Sequence, residues 1–287
     1  MKSLSAAALL IALLPFSLQA QNPANPANPA AAGRAPRVDM STLVNPLEPV
    51  DTVWIEDMTQ LEVRDAMKAG KTTVLIFVGG MEDNGPYVVV DQHGDIVQGQ
   101  CDQIARKLGN ALCAPIVRIA PGVPERVVNP GTIVLATDVF KSVISNIVVS
   151  LKSQGFKNIY TMVDHGSAAT PTAEVTKVLG DQFKDSGVRI AYIKDYYNNA
   201  AVETYVKDVL KVVEKQEGYH DDYFTAAVSV ATNPLSARIP QRIKAKKTTL
   251  NGVEMAGPKA VEDGKKIMAF HTEMTVKAIL ALEKQPQ

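Results

Sequence analysis

Seven consecutive residues, Thr72-Thr73-Val74-Leu75-Ile76-Phe77-Val78, carry no charge, are mostly β-branched, and stop at Gly79-Gly80. A strand with one wet face alternates apolar and polar side chains, so an unbroken run of this kind predicts a strand buried on both faces. Such strands belong to parallel sheets, whose crossover connections are usually helices.

The rest of the chain supplies that alternation. A helix is expected over Met58–Ala69 and another over Gly94–Leu108, followed by a strand over Ala114–Ile119. Gly122–Gly131 reads as irregular, and Thr132–Leu135 as a short strand. Thr137 and Asp138 then cap a helix that runs to Gln154, with Gly155 where a C-terminal glycine belongs. Asn158–Val163 and Val188–Ile193 are further strands, separated by a helix over Thr172–Phe183; helices over Val202–Glu217, Asp221–Ala231 and Val261–Leu282 complete the chain. The pattern predicts a three-layer α/β/α sandwich with a mostly parallel central sheet. In open sheets of this type ligands gather at the carboxyl ends of the strands.

Ahead of the domain, Met1-Lys2-Ser3 is a basic start and Ala6–Leu14 an apolar run broken by Pro15. Leu18-Gln19-Ala20 ends in a small residue, so residues 1–20 are expected to be a cleavable signal peptide directing export to the periplasm or outside the cell. The run is far shorter than the about 20 residues of a membrane span. No cysteine follows the cleavage point to accept a lipid. Asn22–Ala30 repeats Asn-Pro-Ala three times, and residues 21–50 are expected to be an extended linker. Residues 51–287 form the expected folded domain, long enough for one well-buried core.

Acidic and basic residues number 30 each, which gives no electrostatic reason to expect nucleic acid or an anionic membrane as partner. Cys101 falls in an expected helix and Cys113 near the next strand; two small buried thiols are the simpler expectation, with a bridge left open.

Two strand-end loops carry the chemistry. One runs from Gly79 through Glu82, Asn84, Asp91 and His93 to Asp95; the other is Asp164-His165-Gly166-Ser167. The chain holds four histidines, and two of them fall here. Two imidazoles and a carboxylate form a three-ligand cation site that leaves a position for water, and Glu82, His93 and His165 could supply it. Against this stands the ordinary use of loop histidines as helix caps or carbonyl partners.

Gly79 through Asp95 resembles the first motif of the creatininase family, roughly G-S-x-E-Q-H-G-P-H-L-P-L-G-T-D, and Val163–Ala168 resembles its second, N-G-H-G-G-N. His220 with Phe224 is similar to the third, H-x-G-x-F-E-T-S, and Gly257–Gly264 to the closing G-D-P-x-x-A-T-x-E-x-G segment. Pro130-Gly131-Thr132 resembles a further turn near the family's active centre, though a proline-glycine turn alone explains it. The resemblance implies a metal-dependent amidohydrolase with two metals held by a Glu and a His of the first motif, a bridging Asp eleven residues after that Glu, and a His and an acidic residue of the second.

Glu82 matches the family's Glu and His165 its second-motif His. Asn84 stands in place of the first-motif His, His93 in place of the bridging Asp, and Ser167 in place of the second acid. An imidazole offers one lone pair where a carboxylate bridges two cations, so one metal is expected rather than two, held by Glu82, His93 and His165. Asp91 or Asp95 could replace His93 if the loop register differs by two residues. The set suits zinc, with manganese or iron as alternatives. His220 matches a proton-transferring histidine, although Thr225-Ala226-Ala227 replaces the family's Glu-Thr-Ser beside it; pairing with Asp221 or Asp222 at a helix start is its plainer role. His271, in mid-helix, is expected to be structural. The resemblance further implies a small-molecule substrate and a homo-oligomer, commonly a hexamer. Two functions remain open: an exported hydrolase of amide or related C–N bonds, and a non-catalytic binding or assembly protein that keeps the fold without the metal. Sugar or nucleotide binding is a weaker third, since no glycine-rich phosphate cradle is present.

Overall fold

The structure is a computed structural model that describes residues 38–286. The expected signal peptide and the Asn-Pro-Ala repeat lie outside the described residues. Residues 38–42 belong to a short N-terminal unit in which Asp39 accepts from the Ser41 N–H at 2.8 Å; the compact domain begins at Leu43.

The central sheet has four parallel strands. They are β1 (Thr73–Val78), β2 (Ala111–Cys113), β5 (Asn158–Val163) and β6 (Arg189–Tyr192), in the spatial order β2-β1-β5-β6. The chain steps outward from β1 to β2 on one side and from β5 to β6 on the other. The strand order therefore reverses between β1 and β5, whose carboxyl ends lie side by side in the pairing Val78↔Val163. That reversal opens the crevice in which such sheets bind ligands. A second parallel pair joins β3 (Ala120–Gly122) to β4 (Val134–Ala136), and β7 (Thr249–Leu250) with β8 (Val253–Glu254) forms a small hairpin.

Alternate residues of β1 feed two separate cores. Leu75 and Phe77 pack with Tyr160 and Met162 under α2 (Gln92–Leu108) and α8 (Pro258–Glu283). Val74, Ile76 and Val78 face the other way, onto α3 (Thr137–Gln154) and α4 (Gly166–Phe183) through Phe140, Ile144, Val148 and Leu179. This is the three-layer sandwich, and each fully buried Leu or Phe contributes about 1.5–3 kcal/mol relative to exposure. A third apolar cluster joins α8 to α5 (Asn199–Asp208), α6 (Tyr223–Thr232) and the β7–β8 hairpin. No helix among the described residues is long and apolar enough to cross a membrane.

Several boundaries differ from the sequence reading. Helix α1 (Gln60–Lys68) starts late because Thr59 and Glu62 form a capping box. The strand expected over Ala114–Ile119 is instead Ala111–Cys113, because Pro115 has no N–H to give the ladder. Pairing resumes at Val117, which donates to Phe77 O at 3.0 Å and accepts from Gly79 N at 3.0 Å. Helix α4 starts six residues before Thr172, with Pro171 tolerated inside it. The helix expected to reach Glu217 ends at Asp208, and Lys211 beyond it takes a left-handed φ of 56°. Helix α7 (Ile239–Ala245) and the hairpin were not expected at all. The two cysteines are joined in a disulfide between α2 and β2, with Cα atoms 6.1 Å apart, in place of the simpler expectation of free thiols.

Candidate metal centre

Three segments deliver the site. Glu82 lies four residues beyond β1, and its N–H is fixed by Val90 O at 3.0 Å. His93 is the second residue of α2, and His165 is the N-cap of α4, two residues beyond β5. Strand ends and helix starts are thus combined at the sheet's switch point.

Glu82 places one carboxylate oxygen on each imidazole: Oε1 lies 2.6 Å from His93 Nε2 and Oε2 lies 2.9 Å from His165 Nε2. The two rings meet edge to face with centroids 5.2 Å apart. One ligand atom from each of the three residues can be chosen so that all lie within 4.8 Å of one another. The side chains are only 13–16% exposed, so little water competes for them.

The outer nitrogens are occupied too. His93 Nδ1 lies 2.7 Å from Asp164 Oδ2, and His165 Nδ1 lies 2.9 Å from Ser167 Oγ, which also donates to Pro121 O at 2.8 Å. Burial opposes a charge on either Glu82 or His93, but their mutual hydrogen bonds win. Contacts with His165 and His93 hold the Glu82 carboxyl well below the usual range, and bonds to Asp164 and Glu82 push His93 up to about 10. Together they form a charged cluster in which both Nε2 atoms converge on one carboxylate. Two imidazoles and a glutamate with occupied outer nitrogens are what a catalytic divalent cation takes.

Gly80 makes this approach feasible. A Cβ there would stand 2.4 Å from His165 Cδ2, so a side chain on the strand end would collide with the ring.

Neither aspartate of the loop joins the cluster. Asp91 is salt-bridged to Arg118, and Asp95 accepts from Asn233 Nδ2 at 3.1 and 3.2 Å; burial raises the pKa of both. His93 is the residue that faces Glu82. Asn84 donates from Nδ2 to Val89 O at 3.0 Å, which ties its amide to its own loop. His220 lies at the mouth, largely exposed, with Nδ1 3.9 Å from Glu82 Oε1. His271 is buried and stacked on Tyr196 at 4.4 Å, as expected of a structural residue. The cluster opens into a cavity of about 310 Å³, whose inner wall includes Gln92, Gln100, Asp221 and Phe224. The part played by Asp164 was missed in the sequence, where its position beside His165 was the one available signal.

Fold and site together define an α/β sandwich with a histidine–carboxylate cluster at its switch point. The family model described as creatinine amidohydrolase matches residues 56–273, and the chain belongs to the creatininase family. Among solved structures, a creatinine amidohydrolase (creatininase) is 17% identical with a TM-score of 0.60, covering 83% of this chain and 100% of that one. A structure titled "Creatininase Mn" is 16% identical with a TM-score of 0.60, covering 82% and 100%. A putative creatinine amidohydrolase from Bacteroides fragilis is 15% identical with a TM-score of 0.58, covering 83% and 99%. A search of curated proteins found no match.

Proposed function

We propose that this chain is an exported hydrolase of amide or related C–N bonds that works with a single divalent cation held by Glu82, His93 and His165. The carrying observation is the convergence of those three side chains at the carboxyl ends of β1 and β5. A cation bound there supplies a Lewis acid that polarises an amide carbonyl and lowers the pKa of a water. The chain's own residues do the rest. The cavity admits a small molecule, and the exposed His220 imidazole stands beside Glu82, in reach of a leaving nitrogen that needs a proton.

One ion is favoured over two because the other family positions hold only a neutral amide and a hydroxyl, Asn84 and Ser167, which donate to Val89 O and Pro121 O and are weak ligands beside imidazole and carboxylate. Zinc suits two imidazoles and a carboxylate, with manganese and iron as alternatives. Related structures are titled as a manganese and as a zinc–zinc creatininase. Export is supported by the apolar N-terminal run and by the Cys101–Cys113 disulfide, a bond that oxidising compartments preserve.

The test is elemental analysis of the purified protein after zinc loading. About one equivalent per chain is expected, and His165→Ala should lose it. A folded wild-type chain that takes up no divalent ion would overturn the hydrolase and leave a binding or assembly protein.

A further inference from the structure

We infer that Asp164 is the positioning residue of the centre: it turns His93 so that Nε2, and not Nδ1, is offered to the cation. The inference rests on the metal reading proposed above and concerns a residue that does not touch the ion.

An imidazole has two nitrogens, and a metal takes whichever one presents a lone pair. The choice is set by what the other nitrogen bonds. In this chain Asp164 Oδ2 lies 2.7 Å from His93 Nδ1. A carboxylate can only accept here, so Asp164 keeps a proton on Nδ1; Nε2, which donates to Glu82 Oε1 at 2.6 Å, is then the nitrogen that would give up its proton and turn its lone pair to a cation. The carboxylate is itself held. Its second oxygen, Oδ1, accepts from the Tyr196 hydroxyl at 3.4 Å, and Tyr196 is fully buried, locked by an edge-to-face contact with Phe77 at 5.0 Å and by stacking on His271. The backbone is fixed as well, with Asp164 N–H donating to Val78 O at 2.9 Å across the β1–β5 pair. Asp164 is therefore anchored to the sheet while His93 hangs from the first turn of α2.

The two imidazoles are supported unequally. His165 has a neutral hydroxyl on its outer nitrogen, from a serine that is exposed and also engaged with Pro121 O. His93 has a charged acceptor that is largely buried. A charge-assisted bond is roughly twice as strong as a neutral one. Loss of Asp164 should thus free His93 more than loss of Ser167 frees His165.

The experiment measures zinc affinity by chelator competition for the wild type, Asp164→Asn, Asp164→Ala, His93→Ala and the Asp164→Ala/His93→Ala double variant, with thermal melting of each. Removing such an outer partner typically weakens metal binding 10- to 100-fold. That loss is expected for Asp164→Ala, with Asp164→Asn, which keeps an oxygen acceptor, in between. In the double variant, Asp164→Ala should add no further loss to His93→Ala. With cobalt as probe, the visible spectrum of Asp164→Ala should move toward that of His93→Ala; a merely structural role would leave the band in place. Asp221→Asn, which removes another carboxylate from the cavity wall, should leave the affinity nearly unchanged. Equal affinity in the wild type and Asp164→Ala would overturn the inference while the metal site stood. So would full additivity in the double variant. A wild type that binds no zinc would instead overturn the metal reading. Should Asp164→Ala not fold, Asp164→Asn decides by the same affinity and spectrum.

Discussion

Gly80→Ala adds one methyl group to the centre, and its effect can be worked from the geometry. Gly80 does not have a positive φ, so alanine can adopt its backbone. The new Cβ would stand 2.4 Å from His165 Cδ2 and 2.9 Å from Cγ. Carbon atoms in contact prefer about 3.5–4.0 Å, so the ring must retreat by about 1 Å. It cannot do so freely, because its nitrogens are bonded to Glu82 at 2.9 Å and to Ser167 at 2.9 Å. Metal–ligand distances tolerate only about 0.2 Å, so a shift of that size removes His165 from the ion. Zinc affinity should fall at least about tenfold, or about 1.4 kcal/mol, with overpacking costing about 1–3 kcal/mol of folding stability. Chelator competition and thermal melting read the two effects separately. Gly257→Ala is the control, since nothing lies within 4 Å of a Cβ there. If Gly80→Ala bound zinc as tightly as the wild type, either the ring is not pressed against the strand end or it does not ligate, and the site as described would be wrong.

Replacing both Cys101 and Cys113 by serine removes a link across a 12-residue separation and should cost about 2–4 kcal/mol of stability; an unchanged urea midpoint for oxidised protein would mean that the bridge does not form. Burial pushes Asp221 up to about 6, with its Gln92 bond too weak to offset it, and its Oδ2 has no partner. Its folded pKa lies above the unfolded value, so its contribution favours folding at low pH and is lost as pH rises through about 6. Asp221→Asn should therefore add up to about 3 kcal/mol near pH 8 and nothing near pH 3. A pH-independent difference between the two proteins would refute that account.

The sheet was legible because Thr73–Val78 is buried on both faces, and burial on both faces writes itself into composition. Its neighbour was misplaced because periodicity does not register the missing N–H of Pro115. Helix α4 was cut short for the opposite reason: Pro171 reads as a breaker, yet the helix packed on the sheet absorbs the lost bond. Glu82, His93 and His165 could be named from loop position and from family resemblance, since histidines are scarce and strand ends are where ligands collect. Asp164 could not. Nothing in a linear sequence says that the residue before one imidazole serves the other, 71 positions away. That pairing exists only because β5 lies beside β1.

The same reasoning separates what the fold guarantees from what the side chains add. Strand order alone brings the loop after β1, the first turn of α2 and the first turn of α4 to one edge, so almost any residues at those positions would meet. Whether they bind a cation, and how many, depends on where each polar atom is spent. Glu82 divides its two oxygens between His93 and His165, while Asn84 and Ser167 give their donors to backbone carbonyls. A second ion would gain only a neutral amide and a hydroxyl, weak ligands beside imidazole and carboxylate. The substitutions therefore need not mark decay. They concentrate the remaining strong donors on one point and place a buried carboxylate behind His93, where a bridging acid would have had no use for it.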